Sequence, residues 1–344
     1  MDDSEIQQWL RETDPDRLDA LYHLADQVRR QAVGDEVHLR ALVEVSNYCR
    51  RSCTYCGIRA SRGNLLRYRM TAEEVVDALR VAVRHGCGTA VLQAGEDPGL
   101  GVGWVTETIG RIKQELGLAV TLSLGERTNS ELDDYRRAGA DRYLLRFETS
   151  NESLFQQVHP PHASDKRPRR AILGELRNLG YEVGSGVMVG LPGTGFDDLA
   201  RDIQLFRNLD LDMVGVGPYI PDPETPLGRD TTAAAPDQVP NTATMTCKVI
   251  ALARLVCPTA NIPSTTALAT ISATGRELGL RCGANVWMPN FTPTRFRGLY
   301  RIYPGKSSGQ HVEVRHDDLQ ETLGRLGRRP ATGAGPSQHY VTRG

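Results

Sequence analysis

Three cysteines, Cys49, Cys53 and Cys56, are separated by three and then by two residues, just after the apolar segment 42–45. Thiolates select zinc or iron–sulfur centres over hard cations, and a cubane cluster has four irons to ligate. With three local thiolates, the fourth iron would stay open to a small molecule. The alternatives are a zinc site completed by histidine and a metal-free group of buried thiols. Zinc sites usually show two ligand pairs, and this sequence has no second pair.

The same residues resemble the radical S-adenosylmethionine (SAM) superfamily, whose mark is Cys-x3-Cys-x-aromatic-Cys, with Tyr55 as the aromatic residue. The resemblance narrows to the HydE family of FeFe-hydrogenase maturases, whose close relatives are methylornithine synthase and biotin synthase. It covers about residues 35–306 in order, so chance is a poor explanation. The segments that carry it are 45–49, 65–71, 91–98, 121–126, 140–146, 189–193, 213–218 and 281–286.

This resemblance implies a 4Fe–4S cluster on the three cysteines, with SAM bound at the free iron. One electron from the cluster would cleave SAM to methionine and a 5′-deoxyadenosyl radical. In the HydE family the radical acts on an iron–carbonyl–cyanide–cysteine compound on the path to the hydrogenase H-cluster. The implied partners are a small-molecule or organometallic substrate, a one-electron donor such as a ferredoxin or flavodoxin, and other hydrogenase maturation proteins.

Two other functions stay open at this point. One is a radical SAM mutase or other small-molecule enzyme related to methylornithine synthase, and the other is a non-enzymatic iron–sulfur carrier. Sulfur insertion of the biotin synthase type is disfavoured because it needs an auxiliary cluster. No cysteine follows residues 302–306, and the remaining cysteines form no separate ligand set: Cys87, Cys247, Cys257 and Cys282.

Composition agrees with a globular enzyme. The chain has 344 residues, of which 40% are hydrophobic, enough for one barrel or two ordinary domains. No apolar run approaches the roughly 20 residues of a membrane span, and the polar start is unlike a signal peptide. We therefore expect a cytoplasmic protein without a membrane partner. The formal net charge of −1 argues against a nucleic-acid surface.

Short apolar segments alternate with longer amphipathic ones, which predicts a (β/α)8 TIM-type barrel. An open doubly wound sheet is the alternative, but it usually shows a glycine-rich dinucleotide turn near the first strand. Helices are predicted at 71–85, where Thr71 and Glu74 form a capping box, and at 196–208. The predicted strands are 42–46, 89–93, 119–124, 143–147, 183–189, 213–217, 261–265 and 285–288.

We predict three regions along the chain. Residues 1–34 form an N-terminal helical extension, in which a helix over about 15–32 would cap the bottom of the barrel. Residues 35–306 form the barrel, with a loop rich in proline, threonine, alanine and aspartate at 221–240. Residues 307–344 form a C-terminal helix and tail, of which 328–344 would have little to bury.

Active sites of such barrels lie at the carboxyl ends of the strands, and several polar motifs fall there. Gln93, Gly95 and Glu96 follow the second strand, where the superfamily binds the amino group of SAM. Ser123 and Glu148 lie near the ends of the third and fourth strands, where related proteins hold the SAM amine and ribose. The alternative for the first motif is an ordinary glycine turn with solvated acids.

Two further groups complete the expected SAM site. Arg169 resembles the family arginine that pairs with the SAM carboxylate, a task that suits a bidentate guanidinium. Arg167 or Arg170 could be the true ligand, or the run could be a solvated face. Three apolar residues are expected to pack against the adenine, although singly they are typical of a core: Val187, Met188 and Leu191.

A second group is expected to line the barrel cavity below the cluster, with Arg146 and Tyr300 as catalytic residues. The even spacing of Arg142 and Arg146 puts both side chains on the same face. Buried guanidinium groups without carboxylates are costly, so an anionic guest is expected, unless Glu126, Glu148 or Glu44 pairs with them. By resemblance the full set is Arg40, Thr121, Arg142, Arg146, Met213, Ile220, Thr265, Thr266 and Tyr300.

Two positions depart from the family pattern. Phe147 stands where close relatives often have histidine, which would mark a subgroup with an altered substrate. Ala94 takes the place of the first small residue in the turn that binds SAM.

Overall fold

The computed structural model describes residues 1–163, 167–232, 235–306 and 316–343. Within them, eight parallel strands form the predicted (β/α)8 barrel, in the spatial order β6-β5-β4-β3-β2-β1-β8-β7. A parallel bridge between Met213 and Asn261 closes the ring next to β7. The strands are β1 Glu36–Ser46, β2 Thr89–Ala94, β3 Ala119–Ser123, β4 Arg142–Leu144, β5 Glu182–Val189, β6 Met213–Pro218, β7 Pro263–Ser264 and β8 Val286–Trp287.

Helices follow the strands on the outside of the ring. The predicted capping box of α3 is present, since Thr71 accepts from the Glu74 amide and Glu74 accepts from the Thr71 amide. No helix in the described ranges is both long enough and apolar enough to cross a membrane. The helices are α1 Asp3–Arg11, α2 Pro15–Val33, α3 Ala72–Arg84, α4 Val102–Arg111, α5 Asn129–Arg137, α6 Glu152–Val158, α7 Arg169–Asn178, α8 Phe196–Asn208, α9 Ala243–Val256, α10 Thr266–Ile271, α11 Gly275–Arg281, α12 Thr294–Arg297, α13 His316–Arg325 and α14 Gln338–Arg343.

Alternation along the strands separates an apolar core from a polar interior. On β1 the residues that pack in the main hydrophobic core, between strands and helices, are Val37, Leu39, Ala41, Val43 and Val45. Side chains of a strand alternate between its two faces, so the intervening residues point into the barrel. Those residues are His38, Arg40, Leu42, Glu44 and Ser46.

The C-terminal segment closes the floor of the barrel, so the prediction that the tail buries little is wrong. A short strand, β9 Arg329–Pro330, pairs in parallel with the start of β1. The carbonyl of Ala334 accepts from Thr89 and Arg142, both at 2.9 Å. Ser337, 1% exposed, donates its amide to Glu182 at 2.9 Å. These polar contacts, invisible in a hydropathy pattern, hold the segment in place.

The helix predicted over 15–32 packs on the side of the barrel rather than across its bottom. α1 packs against α8, and α2 packs against α9, so both join the outer helical layer. The strand ends at the bottom are instead covered by the C-terminal segment. Residues 307–315 and Gly344 of the predicted C-terminal region lie outside the described residues, as do residues 233–234 of the predicted loop.

Candidate active site

The loop after β1 carries Cys49, Cys53 and Cys56, and it is fastened on several sides. Asn47, at the start of this loop, links it to two later segments. Its side-chain amide donates to the carbonyls of Leu66 and Leu299, both at 2.9 Å. The backbone amide of Thr54 donates to the carbonyl of Val158 at the end of α6, at 2.9 Å. The amide of Gly57 donates to the carbonyl of Ile302 at 3.0 Å. Elements far apart in sequence therefore shape this loop.

The turn after β2 touches the first cysteine directly. Sγ of Cys49 accepts from the Glu96 amide at 3.3 Å. A β-carbon at Gly95 would lie 2.2 Å from the carbonyl oxygen of Tyr48 and 2.7 Å from Cβ of Cys49, so the position accepts no side chain. The Glu96 carboxylate accepts from Arg50 at 2.7 Å and Arg51 at 2.9 Å. This turn therefore supports the cysteine loop as well as facing the expected SAM site.

The cysteine residues fit a cubane better than a single ion. All three are free, and burial raises the pKa of each thiol, that of Cys56 to about 12, so a bound metal would have to displace the protons. In the described part of the chain, no three His, Cys, Asp or Glu side chains converge as ligands of one metal ion must. Thiolates on separate irons of a cluster need not converge so closely. This arrangement is compatible with a cluster held by three separate thiolates.

Of the three candidate arginines, Arg169 lies beside the cysteine loop, with a side chain that is 11% exposed. Arg169 begins α7, and its guanidinium donates to Glu126 at 2.9 Å, to the carbonyl of Arg146 at 2.7 Å and to Nε2 of His159 at 2.7 Å. Burial and Arg169 lower the pKa of His159, which keeps this imidazole a neutral acceptor. By contrast, Arg170 pairs with Glu152 at the surface at 2.5 Å.

The third arginine of that run also points away. Arg167 is half-buried and donates to the carbonyl of Arg127 at 3.1 Å and to the side chain of Asn129. Its contacts hold the segment before α7 against α5. The geometry therefore favours Arg169 over both neighbours as the arginine of the site.

Glu148 combines a strained backbone with a free carboxylate oxygen. Its φ of 65° lies in the left-handed region, which costs a residue with a side chain about 1–3 kcal/mol. Oε1 accepts from the Tyr55 hydroxyl at 3.4 Å and lies 3.3 Å from Nη2 of Arg146. Oε2 is buried and has no partner among the described residues. The structure around Glu148 therefore holds a backbone conformation that residues with side chains rarely adopt.

A small apolar cluster lies beside Tyr55, separate from the main core. Of the three predicted adenine contacts, this cluster contains Met188 and Leu191, and Tyr55 packs against it. Val187 belongs to the main core. The other members of the small cluster are Leu154, Val158 and Tyr219.

Gln93 and Ser123 are paired in register at the ends of β2 and β3. Both are half-buried, and both strands point their carboxyl ends toward the cysteine loop. The structure therefore brings the predicted cofactor residues to one end of the barrel.

Arg142 and Arg146 have different surroundings although both face the interior. Arg142 is 1% exposed, and its nitrogens donate to Glu182 at 2.8 Å, Thr89 at 3.1 Å and Ala334 at 2.9 Å. The side chain of Arg146 is 36% exposed and has Glu148 as its carboxylate neighbour. The expected anionic guest could therefore reach Arg146, whereas protein groups already occupy Arg142.

Arg40, like Arg142, lies at the bottom of the barrel next to the C-terminal segment. It donates to the carbonyl of Gly335 at 3.1 Å and contacts Sδ of Met213 at 3.0 Å. Burial, with Arg142 nearby, lowers the pKa of Arg40 to about 9. We therefore revise the expectation for Arg40 and Arg142, since the tail segment binds both of them.

The remaining predicted cavity residues lie at different heights. Thr121 is buried, and its hydroxyl has no partner in the described ranges. Thr265 caps α10, and its hydroxyl would be 3.4 Å from a β-carbon at Gly217. Ile220 and Thr266 are half-buried near the upper end. Tyr300 is buried, and its ring faces Nζ of Lys306 at 4.6 Å.

Comparison with known proteins identifies the family. Residues 43–231 match the Radical SAM superfamily. The chain belongs to that superfamily. The FeFe hydrogenase maturase subunit HydE of Thermotoga maritima is 49% identical over 288 residues, which are 84% of this chain and 80% of the relative. The chain is a member of the HydE family.

More distant relatives include the two enzymes that the sequence analysis gave as relatives of the HydE family. A 3-methylornithine synthase of Methanosarcina acetivorans is 26% identical over 83% of this chain and 78% of its own length. A biotin synthase of Streptomyces avermitilis is 29% identical over 96% of this chain and 82% of its own. The crystal structure of methylornithine synthase (PylB) shares the fold, with a TM-score of 0.81 and 24% identity over 96% of this chain and 94% of that one.

Phe147, one of the two positions that depart from the family pattern, packs away from the barrel interior. Its ring is 3% exposed and packs in the main core, 5.9 Å from the ring of Phe206. The side chain therefore points away from the barrel interior, so the residue gives no support for an altered substrate.

Two acidic residues near the site had no role in the sequence-based prediction beyond possible arginine pairing. Glu126 binds Arg169, and Glu44, fully buried on β1, forms an ion pair with Lys306. Glu126 could have been found, because it lies just beyond the end of the third predicted strand. The pairing of Glu44 with Lys306 could not, since 262 residues separate them.

Proposed function

We propose that this member of the HydE family binds a 4Fe–4S cluster through Cys49, Cys53 and Cys56, and binds SAM next to it. The observation that carries the proposal is that a cysteine loop, a half-buried arginine and a strained glutamate lie together at one end of the barrel. When bound, the cluster would supply the electron that cleaves SAM to a 5′-deoxyadenosyl radical.

The chain's own residues would bind and orient SAM. Arg169 makes three hydrogen bonds to protein groups, but its side chain stays 11% exposed and would offer its two remaining N–H groups to the carboxylate. The unpartnered Oε2 of Glu148 offers an acceptor for a hydroxyl or amine. Gln93, Ser123 and the backbone near Gly95 lie at the same end. Other contacts come from the apolar cluster beside Tyr55, where Met188 and Leu191 would cover the adenine and exclude water.

For the substrate, we propose an organometallic iron compound on the path to the hydrogenase H-cluster, as the HydE relationship suggests. Arg146 would pair with its negative charge, and Tyr300 would contact it above the floor. Thr265, Thr266, Ile220 and Thr121 would shape the pocket. Arg40, Met213 and Arg142 would support that pocket from below.

The remaining partners follow from the same proposal. A one-electron donor such as a ferredoxin or flavodoxin would reduce the cluster, and other hydrogenase maturation proteins would supply the substrate and accept the product. The proposal does not require a nucleic acid or a membrane.

An anaerobic turnover assay with the iron–carbonyl–cyanide–cysteine compound tests this function. We expect about four irons and four sulfides per chain after reconstitution, and formation of 5′-deoxyadenosine together with a changed iron compound. Cys53→Ala should lose the cluster and both products, whereas Cys87→Ala, at a buried thiol in the core, should keep them. Cleavage of SAM without conversion of the iron compound would support the cofactors but contradict the substrate.

A further inference from the structure

A lysine from the segment after α12 reaches into the barrel. Nζ of Lys306 forms an ion pair with Oε1 of Glu44, a β1 residue whose side chain is fully buried. The lysine side chain is itself only 7% exposed. Oε2 of Glu44 accepts from the Thr292 hydroxyl at 3.4 Å, so both carboxylate oxygens have partners. Because Glu44 is on the inward face of β1, this ion pair lies inside the barrel.

Glu44 uses only part of the hydrogen-bonding capacity of Lys306. An ammonium group has three N–H donors. Among the described residues, Glu44 is the one hydrogen-bond acceptor of Nζ. The buried Lys248 differs, because it donates to two backbone carbonyls, those of Leu10 and Glu12. Buried donors without acceptors are costly, so the remaining N–H groups of Lys306 call for a ligand.

Tyr300 connects this lysine with the candidate active site. The centre of its ring lies 4.6 Å from Nζ of Lys306, within the range of a cation–π contact. Burial raises the pKa of Tyr300, the charges of the Cys56 and Cys49 thiolates raise it further, and the charge of Arg146 opposes them. Tyr300 therefore has the cysteine loop, Arg146 and Lys306 as its charged neighbours.

The positive charge of Lys306 depends on its partner. Burial lowers the pKa of Lys306 to about 7, which favours loss of the proton near neutral pH. A carboxylate beside an ammonium group favours the charged form instead. Glu44 therefore holds the lysine in its protonated, hydrogen-bond-donating form, and it acts on a ligand only through the lysine.

The two cations next to Tyr300 suit different acceptors. The planar fork of the Arg146 guanidinium matches the two oxygens of a carboxylate, whereas the Lys306 ammonium is a compact charge that suits a single acceptor atom. The proposed iron substrate carries both kinds of acceptor. Its cysteine part ends in a carboxylate, and its cyanide ligand ends in one nitrogen.

We propose that Lys306 donates a hydrogen bond to the cyanide nitrogen of the iron substrate, while Arg146 pairs with the carboxylate. Glu44 is the positioning residue of the lysine. The interaction makes and breaks no covalent bond. This inference rests on the proposed function, because it requires the substrate named there.

The test measures binding of the iron–carbonyl–cyanide–cysteine compound to the reconstituted full-length protein by anaerobic calorimetry. The variant is the double change Glu44→Gln with Lys306→Met, which removes both charges and so leaves no unpaired carboxylate inside the barrel. We expect the dissociation constant to rise roughly tenfold to a hundredfold, the usual loss for a hydrogen bond to a charged group. The control is Lys248→Met, which removes a buried ammonium group from α9, outside the barrel interior.

Infrared spectra of the bound compound separate a direct contact from a general loss of packing. The C–N stretching band should differ between the parent and the double variant, whereas Lys248→Met should reproduce the parent band. Unchanged affinity in the double variant, or weaker affinity with an unchanged C–N band, overturns the role of Lys306. A parent protein that binds no iron compound overturns the proposed function itself.

Discussion

Arg142 and Glu182 form a buried ion pair between β4 and β5, with 2.8 Å separating Nε of the arginine from Oε1 of the glutamate. The tail carbonyl of Ala334 accepts from the same guanidinium at 2.9 Å. Arg146 lies four residues later on the same face. Its side chain is 36% exposed and, among the described residues, makes no such contacts with the tail. Of these two arginines on one face, Arg142 is therefore structural, whereas Arg146 is available to a ligand.

This division predicts different results for two matched substitutions. Arg146→Met should abolish conversion of the iron substrate but keep SAM cleavage, because it removes substrate pairing while preserving most of the side-chain volume. Arg142→Met should instead destabilise the fold by about 3–5 kcal/mol, since it leaves Glu182 buried and unpaired. Chromatographic assays of 5′-deoxyadenosine and product, together with urea unfolding, separate the two effects. Normal substrate conversion by Arg146→Met would contradict the role.

SAM binding should depend on Arg169 far more than on Arg170. Arg169→Ala is expected to weaken SAM binding by about 1.5–3 kcal/mol, the usual loss for a hydrogen bond to a charged group. Glu148→Gln should weaken it as well, because the free carboxylate oxygen becomes an amide. Arg170→Ala is the matched control at an exposed position. Anaerobic calorimetry measures affinity, and the unchanged absorbance of the cluster shows that the site is intact.

Equal affinity in parent and Arg169→Ala would show that the carboxylate of SAM lies elsewhere. A loss in Arg170→Ala of the same size would indicate an indirect effect of the α7 start rather than direct binding.

Gly95 should tolerate no side chain. In Gly95→Ala the new methyl group would overlap the Tyr48 carbonyl and Cβ of Cys49. We expect a cost of about 1–3 kcal/mol from overpacking and poor recovery of iron on reconstitution. Gly110→Ala in α4 has no atom within 4 Å of the new carbon and should stabilise the helix by roughly 0.5–1 kcal/mol. Full iron content in Gly95→Ala would show that the loop moves freely.

Asp202 should make stability depend on pH. Burial raises its pKa from 3.8 to about 7, and its carboxyl group accepts from the Ser150 amide next to α6. Between these values the folded protein holds a proton that the unfolded chain releases. The free energy of unfolding should therefore fall by up to about 4 kcal/mol as pH rises from 4 to 7.

Asp202→Asn should remove that slope while keeping an oxygen for the Ser150 amide. Urea unfolding of the metal-free protein at several pH values measures the difference from the parent. Asp19→Asn, at a side chain that is 71% exposed, should follow the parent curve. Parallel curves for Asp202→Asn and the parent would mean that this carboxyl group is already ionised in the folded state.

Local patterns in the sequence determined much of this protein. The cysteine spacing, the Thr71 and Glu74 capping box, and the eight apolar segments each depend on residues close together in the chain. Chain neighbours decide such features because helix caps and strand alternation involve contacts within a few residues. The sequence also carried the resemblance that the HydE relationship confirms.

Tertiary structure alone decided how the candidate residues are used. Arg142 meets Glu182 across 40 residues and Ala334 across 192, so no local pattern could show that it belongs to the floor. Arg169, rather than its neighbours, lies beside the site because it pairs with Glu126 from another strand end. Hydropathy could not reveal the closing tail, because polar backbone groups fasten it. Ion pairs and hydrogen bonds between distant segments exist only after the strands have closed into a barrel.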